Sequence, residues 1–274
     1  MRTKIPVVIP ARNEAKRILD TIHGIREIGQ EAGVQMFLVV VDDGSSDMTA
    51  QIAKDVGCHV ISLKDRGYSA LGKPELADTH NAGFDYISNL GIDFEFVMVV
   101  GSDTTFKSDY LKILLTEMDA DSNLVMCAGM IDGLRTNPTA VRGSGRIIRY
   151  SYWKSIGERL PNCYYGWESY PVVYENTHGF KTKTVYEALM FTSRPPLHGV
   201  DWFRYGIAMK ENGSIFPYVL LRGMKAAKNI SLKQGIRLVR GYFSNVQNKY
   251  PYELRMFTKN YQKKRLNHFL TFKS

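Results

Sequence analysis

Short runs of apolar, β-favouring residues alternate with helical patterns along the first 130 residues of the chain. The runs occupy residues 5–10, 36–41, 58–63, 94–100 and 124–130. The intervals carry apolar residues at helical spacing or helix-start signals, and predict helices over 13–28, 45–56, 74–90 and 108–118. Strands separated by helices favour right-handed βαβ units, which build a mostly parallel sheet with helices on both faces. The alternation therefore predicts an α/β, Rossmann-like fold.

Polar loops follow three of these predicted strands. They are Pro10–Glu14, Asp42–Asp47 and Gly101–Thr105. Ligands of such sheets bind beyond the carboxyl ends of the strands, so we expect the three loops to meet at one edge. A capped turn is the local alternative for the second loop, and Asp42 is expected to be a turn residue.

Carboxylates, rather than a glycine-rich phosphate loop, dominate that predicted edge, which suits a nucleotide-sugar accompanied by a divalent cation. Asp43 can accept hydrogen bonds from a base or a ribose. Asp103 can hold Mg²⁺ or Mn²⁺ through its hard oxygen ligands, and the cation can bridge a diphosphate. Asp103 is thus the predicted metal ligand and a candidate catalytic residue.

Composition excludes several other classes of protein. The 274 residues include only three cysteines, Cys58, Cys127 and Cys163, without a CxxC pair, so neither a disulfide framework nor a structural zinc site is expected. No apolar run approaches the roughly 20 residues that span a bilayer. The apolar stretch near the N-terminus is too short for a signal peptide. We therefore expect a cytoplasmic protein.

Residues 131–221 are less regular than the first half. They predict a Gly/Pro/Arg-rich loop over 131–146, a helix over 147–158, and a loop leading into a helix over 164–179. A strand over 180–191 and a helix over 201–211 follow.

Four segments of the first half together resemble the family-2 glycosyltransferases of the GT-A fold. They read VVIPARNEA, VVVDDGSSDMT, HNAGFDYI and FVMVVGSDTTF, in this family's order. The likeness covers about the first 130 residues and thins after Ile131. The resemblance extends to the polyprenyl- and dolichyl-phosphate sugar synthases and related inverting transferases of this family.

The resemblance implies a role for each matching residue. The nucleotide-sugar would contact Pro10, Ala11, Arg12, Glu14, Asp43, Ser102 and Asp103. Asp103 corresponds to the last aspartate of the family's D-x-D motif. Gly101 stands where the family has the first aspartate, so the predicted Mg²⁺ or Mn²⁺ site is one carboxylate short.

Glu168, in YGWES, resembles the family's general base at a loop-to-helix junction, although an acid at a helix start is the local alternative. A base is needed for a hydroxyl acceptor, whereas a polyprenyl phosphate is already an anion and needs none. Arg142, Arg146, Trp202 and Arg204 are the candidates for contacts with the diphosphate or the acceptor; a salt-bridged surface is the alternative for the first two.

The charge of the chain is concentrated at its C-terminal end. Residues 222–274 carry 13 Lys and Arg against one acid, a net +12, whereas the first 221 residues carry 23 against 26, a net −3. Apolar residues recur at helical spacing on both sides of Pro251. These basic amphipathic helices can bind an anionic membrane surface or dock on the body of the protein. Nucleic acid is not expected as a partner, because no recognition module accompanies the charge.

Residues 1–221 are predicted to form the glycosyltransferase domain, with a nucleotide-sugar half (1–130) and an acceptor half (131–221), and 222–274 a basic extension. The expected function is inverting, metal-assisted transfer of a sugar from a nucleotide-diphosphate sugar to a hydroxyl or lipid-linked acceptor. One alternative is a polyprenyl-phosphate glycosyltransferase without a base. Another is a non-catalytic module that binds nucleotide-sugar or membrane and has a degenerate D-x-D site.

Overall fold

A computed structural model describes residues 4–134, 141–164, 167–168, 170–172, 179–194, 201–246 and 250–271. Most of the loop and helix predicted over 164–179 lies outside these ranges. The chain forms two compact units. We call Met1–Ser69, Asp78–Leu160 and His178–Pro196 the sheet unit, and Ala70–Ala77, Pro161–Thr177 and Leu197–Ser274 the helical unit.

One sheet of eight strands organises the sheet unit. The strands are β1 (Lys4–Ala11), β2 (Gln35–Asp42), β3 (His59–Ser62), β4 (Phe96–Val99), β5 (Thr104–Phe106), β6 (Leu124–Ile131), β7 (Arg146–Arg149) and β8 (Lys181–Thr192). Their order across the sheet is β3-β2-β1-β4-β7-β6-β8-β5. The β3-β2-β1-β4 half is parallel, as is β6 with β8, and the other neighbours are antiparallel. The mostly parallel α/β sheet predicted from the sequence is confirmed.

Helices connect the strands where the sequence predicts them. They are α1 (Ile18–Glu31), α2 (Thr49–Asp55), α3 (Leu76–Asn89), α4 (Tyr110–Ala120) and α5 (Tyr150–Ser155). The apolar stripe of α1, which includes Ile18, Ile22 and Ile25, is fully buried in the core. Burial of each such side chain contributes about 1.5–3 kcal/mol, so this stripe holds the helix on the sheet.

One prediction of secondary structure was wrong, and one strand was not predicted. Residues 147–158 do not begin as a helix, because Arg146–Arg149 forms β7 between β4 and β6. Ile147 and Ile148 are both buried, and a central strand can bury consecutive residues on its two opposite faces. Strand β5 was not predicted, since three residues are too few to show a period of two.

Tyr110 ties α4 to the sheet close to the end of β4. Its ring is fully buried, and its hydroxyl donates to the carbonyl oxygen of Gly145 at 2.9 Å and accepts from the amide of Gly129 at 2.8 Å. Burial raises the pKa of Tyr110, so the phenol stays protonated and keeps donating. These bonds fix the segment that carries Ser144, whose hydroxyl accepts from the amide of Gly101 at 2.9 Å.

The helical unit contains four further helices in its described part. They are α6 (Trp202–Glu211), α7 (Phe216–Asn229), α8 (Leu232–Tyr242) and α9 (Tyr252–Thr271). Helices α6 and α8 pack closely at glycines, since a Cβ on Gly206 would lie 2.0 Å from the carbonyl oxygen of Leu238. The helices on both sides of Pro251 are confirmed, and the predicted boundary at residue 221 falls inside α7. None of the described helices is long and apolar enough to cross a membrane.

The apolar stripe of α8 packs only in part. Gly235, Leu238 and Gly241 are buried and Val239 is partly buried, whereas Leu232 and Ile236 are 70% and 52% exposed. Leu232 and Ile236 therefore face solvent, and the two glycines and Leu238 make the main helix contacts.

We expect Tyr110→Phe to destabilise the sheet unit by about 1–3 kcal/mol, because the amide of Gly129 loses its acceptor in a buried place. Urea unfolding followed by circular dichroism measures the loss. Tyr252→Phe is the matched control, since Tyr252 is 71% exposed. Equal stabilities of the two variants would contradict this account of Tyr110.

Candidate active site

The carboxyl ends of β1, β2 and β4 lie side by side at one edge of the sheet. Strand β1 runs parallel to both neighbours, with Ala11 opposite Asp42 and Val8 opposite Val99. The loops that follow the three strands therefore leave the sheet at the same edge. This arrangement brings together Arg12, Glu14, Asp43, Ser102 and Asp103 on the two sides of β1.

Reciprocal hydrogen bonds hold the first two loops together. The amide of Asn13 donates to the hydroxyl of Ser45 and the amide of Ser46 to the side-chain oxygen of Asn13, both at 2.9 Å. The amide of Glu14 donates to the hydroxyl of Thr49 at 2.7 Å. Asn13 takes a positive φ of 56° there, which asparagine tolerates. Helix α1 consequently begins at Ile18, later than predicted.

Asp47 has a structural role in this pair of loops. Burial by itself would raise the pKa of Asp47, but hydrogen bonds from the hydroxyl of Thr49 and from the amides of Ala15 and Thr49 lower it below its usual value. The carboxylate therefore remains ionised and fixes the start of α2. Asp42 is the last residue of β2, and its carboxylate accepts from the amide of Ser45 at 3.2 Å, which holds the turn that follows the strand.

Asp43 is a buried carboxylate with cationic and hydroxyl partners. Its Oδ1 pairs with the guanidinium of Arg66 and accepts from the hydroxyl of Thr79 at 3.2 Å. Arg12 binds the backbone carbonyl oxygens of Asp43 and Gly44 and pairs with Asp65 at 2.7 Å. The carboxylate of Asp43 is thus held by hydrogen-bonding groups from the loop after β3 and from α3.

Gly44 is required by that close packing. Its φ is +71°, and a Cβ there would lie 2.5 Å from the Cα of Asp65. The loop after β2 can therefore lie against the loop after β3 only with glycine at this position.

Asp103 lies at the end of β4, beside the end of β8. Its Oδ2 accepts from the hydroxyl of Thr192 at 3.2 Å and is 3.9 Å from Nε of Arg194. A Cβ on Gly101 would lie 3.2 Å from Oδ1 of Asp103. An aspartate at 101 would thus place a second carboxylate next to the first, as in a D-x-D motif.

The residues at this strand end do not by themselves build a site for a divalent cation. No cluster of three or more His, Cys, Asp or Glu side chains suited to a metal occurs in the described part of the chain. Asp103 is the one carboxylate of its triplet, and Arg194 is its cationic neighbour.

Glu14 connects the two sides of the edge. Its side chain is buried, and its two oxygens pair with different arginines: Oε1 with Arg194 and Oε2 with Arg17 at 3.4 Å. Arg194 therefore bridges Glu14, after β1, and Asp103, after β4. Burial of a charged carboxylate is tolerated only with such partners.

The predicted arginines after β6 differ in their surroundings. Arg146 is buried, and its guanidinium donates to the carbonyl oxygens of Val141 and Arg142, both at 2.9 Å. These contacts anchor the loop. Arg142 is partly exposed.

Three of the predicted residues belong to the helical unit. Glu168 is exposed, Trp202 packs edge-on against Tyr205, and Arg204 lies over the ring of Tyr164 with its carbon Cζ 5.8 Å from the ring centre. Their catalytic or binding roles stay predictions.

Sequence reasoning missed Arg66, Thr79 and Arg194. Arg66 and Arg194 follow β3 and β8 within four residues, so both belong to strand-end loops. A search of strand ends for bases as well as acids would have found them.

The chain is similar to known glycosyltransferases in sequence and in fold. A family model described as Glycosyl transferase family 2 matches residues 7–172. A 4,4'-diaponeurosporenoate glycosyltransferase of Staphylococcus aureus is 41% identical over 61 residues, which are 22% of this chain and 15% of that protein. The chain thus matches only a small part of that curated relative.

Solved structures show the same fold. Residues 1–349 of S. aureus TarS in complex with UDP-GlcNAc align with a TM-score of 0.56 at 14% identity, covering 88% of this chain and 72% of that one. The mannosyltransferase PcManGT of Pyrobaculum calidifontis, in complex with GDP-Man and Mn²⁺, aligns with a TM-score of 0.57 at 14% identity, covering 89% and 76%. The predicted GT-A fold is confirmed.

Proposed function

The chain belongs to glycosyl transferase family 2, and we propose that it transfers a sugar from a nucleotide-diphosphate sugar to a hydroxyl-bearing or lipid-linked acceptor. The observation that carries the proposal is the convergence of Glu14, Asp43 and Asp103 at the carboxyl edge of the parallel strands. Open α/β sheets bind their ligands at this edge.

The donor would lie across β1, with its nucleoside toward Asp43 and its diphosphate toward Asp103. The carboxylate of Asp43, steadied by Arg66 and Thr79, is an acceptor for the hydroxyls of a ribose or the N–H groups of a base. Pro10, Ala11 and Arg12 are the proposed lining of the nucleoside pocket, and Ser102 is proposed beside the diphosphate. Complexes of the structural neighbours with UDP-GlcNAc and GDP-Man support a donor of this class.

Asp103 remains the proposed ligand of Mg²⁺ or Mn²⁺, and the neighbour with Mn²⁺ supports a cation in this fold. When bound, such an ion supplies Lewis-acid stabilisation to a departing diphosphate. This chain offers it one carboxylate at the strand end.

The proposed reaction is a one-step, inverting displacement. The acceptor oxygen bonds to the anomeric carbon, the bond from that carbon to the diphosphate oxygen breaks, and the electron pair leaves with the nucleoside diphosphate. Glu168 takes the proton of a hydroxyl acceptor. Arg142, Arg146, Trp202 and Arg204 are the proposed contacts to the diphosphate or the acceptor. In the first alternative the acceptor is a polyprenyl phosphate, and no proton needs to be removed. In the second alternative the protein catalyses no transfer, and the strand-end site only binds nucleotide-sugar.

Asp43→Ala should lower the affinity for the donor at least about tenfold, because it removes a buried charged acceptor. Isothermal titration with UDP-GlcNAc, UDP-glucose and GDP-mannose first finds the donor and then compares the variants. Asp93→Ala is the control, since Asp93 is an exposed acid of the same unit. A folded protein that binds none of these sugars, or an unaffected Asp43→Ala variant, would overturn the assignment of this pocket.

Glu168→Gln should slow transfer to a hydroxyl acceptor about a hundredfold and leave transfer to a polyprenyl phosphate within about twofold, because only the first needs a base. Initial rates with the two acceptor classes separate these outcomes, and donor affinity serves as the internal control. Equal rates for the wild type and Glu168→Gln with a hydroxyl acceptor would show that Glu168 is not the base.

We also propose that the hairpin of α7 and α8, residues 216–243, binds a bilayer containing anionic phospholipid. Residues 212–246 include six Lys and Arg and no acid. The hairpin exposes large apolar side chains: Leu220, Leu221, Met224, Ile230, Leu232, Ile236 and Phe243.

A shallow groove shows how apolar and basic groups combine on α8. It is lined by Leu232, Lys233, Ile236, Arg237 and Arg240. Apolar side chains ringed by cations suit the boundary between phosphate headgroups and acyl chains.

Leu232→Ser combined with Ile236→Ser should reduce binding to vesicles of phosphatidylcholine with about one third phosphatidylglycerol by about tenfold. Sedimentation with these vesicles and with neutral ones measures the effect, and salt should weaken it. The control carries Tyr252→Ser and Tyr261→Ser, exposed aromatic positions on α9. Binding that is equal for neutral and anionic vesicles, or unchanged in the α8 variant, would contradict the proposal.

A further inference from the structure

We infer that Arg194 binds the diphosphate of the nucleotide and supplies positive charge there through the protein itself. The inference rests on the proposed function, since it assigns a ligand contact within the same edge. It concerns a residue that the sequence motifs do not include.

Position is the first observation. Arg194 follows the end of β8 by two residues, and the amide of its neighbour Ser193 donates to the carbonyl oxygen of Asp103 at 3.1 Å. Its guanidinium pairs with Oε1 of Glu14 and has its Nε 3.9 Å from Oδ2 of Asp103. The cation therefore lies between the loops after β1 and β4, where the diphosphate is proposed.

Freedom to exchange partners is the second observation. The side chain of Arg194 is 37% exposed, so it is not locked inside the protein. Glu14 pairs with Arg17 through its other oxygen, at 3.4 Å. When Arg194 turns to a phosphate, the buried carboxylate keeps one cationic partner, and the exchange does not leave an unpaired buried charge.

Charge at the strand end is the third observation. With Gly101 in the triplet, Asp103 supplies one negative charge, and Arg194 supplies one positive charge beside it. A diphosphate brings several negative charges to this place. A guanidinium binds two phosphate oxygens at once through its planar fork, which an isolated carboxylate cannot do without a cation between them.

A purely structural role for Arg194 makes a different forecast. If its function were only to neutralise Glu14, then Arg17 would be equivalent, since it pairs with the same carboxylate and is 38% exposed. Loss of either arginine would then lower the stability of the protein equally, and would change the affinities for the nucleoside diphosphate and monophosphate by the same factor.

The test compares Arg194→Gln with Arg17→Gln by isothermal titration in the presence of EDTA. The probes are UDP and GDP, the nucleoside diphosphates of the sugars titrated above, and the corresponding monophosphates UMP and GMP. We expect Arg194→Gln to lower the affinity for the diphosphate at least about tenfold and the affinity for the monophosphate less than about threefold, because a charge-assisted contact to the second phosphate is lost. Arg17→Gln should change both affinities by less than about threefold. The diphosphate affinity of Arg194→Lys should lie between those of the wild type and Arg194→Gln.

Three results would overturn the inference while leaving the proposed function intact. They are unchanged diphosphate affinity in Arg194→Gln, equal losses for diphosphate and monophosphate, and a wild-type protein that binds the diphosphate with Mn²⁺ but not in EDTA. Failure of the wild type to bind any nucleotide under either condition would instead remove the proposed function, and this inference with it.

A second variant tests the same charge from the other side. Gly101→Asp places a carboxylate beside Asp103, where a Cβ would lie 3.2 Å from Oδ1 of Asp103 and 3.4 Å from the hydroxyls of Ser144 and Thr104. In EDTA this variant should bind the diphosphate about tenfold more weakly, because the added negative charge offsets the positive charge of Arg194. Mn²⁺ should restore the affinity. Unchanged affinity in EDTA would count against a guanidinium that acts on the diphosphate at this point.

Discussion

Pairing of buried carboxylates with arginines is the interaction on which the edge of this sheet depends. Glu14 and Asp43 are almost fully buried, and each has a guanidinium partner, Arg194 and Arg66. A carboxylate taken out of water is costly unless a cation and hydrogen bonds compensate it. Arg194, which neutralises Glu14, is also the group proposed to bind the diphosphate, so this one side chain links the buried charge pair to the proposed binding.

The parallel register of β1 with β2 and β4 places these pairs. It sends three loops from the same edge, and the hydrogen bonds between the loops of Asn13 and Ser45 fix their spacing. Tyr110 holds Gly145 by a hydrogen bond, and the neighbouring Ser144 in turn accepts a hydrogen bond from the amide of Gly101, which fixes the start of the third loop. The geometry of the edge therefore follows from core packing as much as from the polar residues themselves.

Much of this arrangement could be predicted from the sequence. Long apolar runs and their helical intervals identified β1 to β4, β6 and the helices between them. The strand-end acids indicated that Asp43 and Asp103 follow strands at the same edge of the sheet. The remainder depends on tertiary context. Strand β7 resembled the start of a helix because a strand buried on both faces loses its alternation, and Arg194 is distant in sequence from the loops it joins. The sequence left open whether Leu232 and Ile236 of α8 pack or face outward, because a basic amphipathic stripe suits both a membrane surface and a docked helix and the glycine contacts of α8 leave no hydrophobic signal.

Hydrogen–deuterium exchange tests the central claim most directly, because it reports which backbone segments a nucleotide covers. The account predicts that the nucleoside diphosphate of the donor slows exchange together in residues 11–15, 42–46 and 101–104, the three loops of one edge. Protection confined to the helical unit, or to only one of the three loops, would contradict a shared site built on these strand ends.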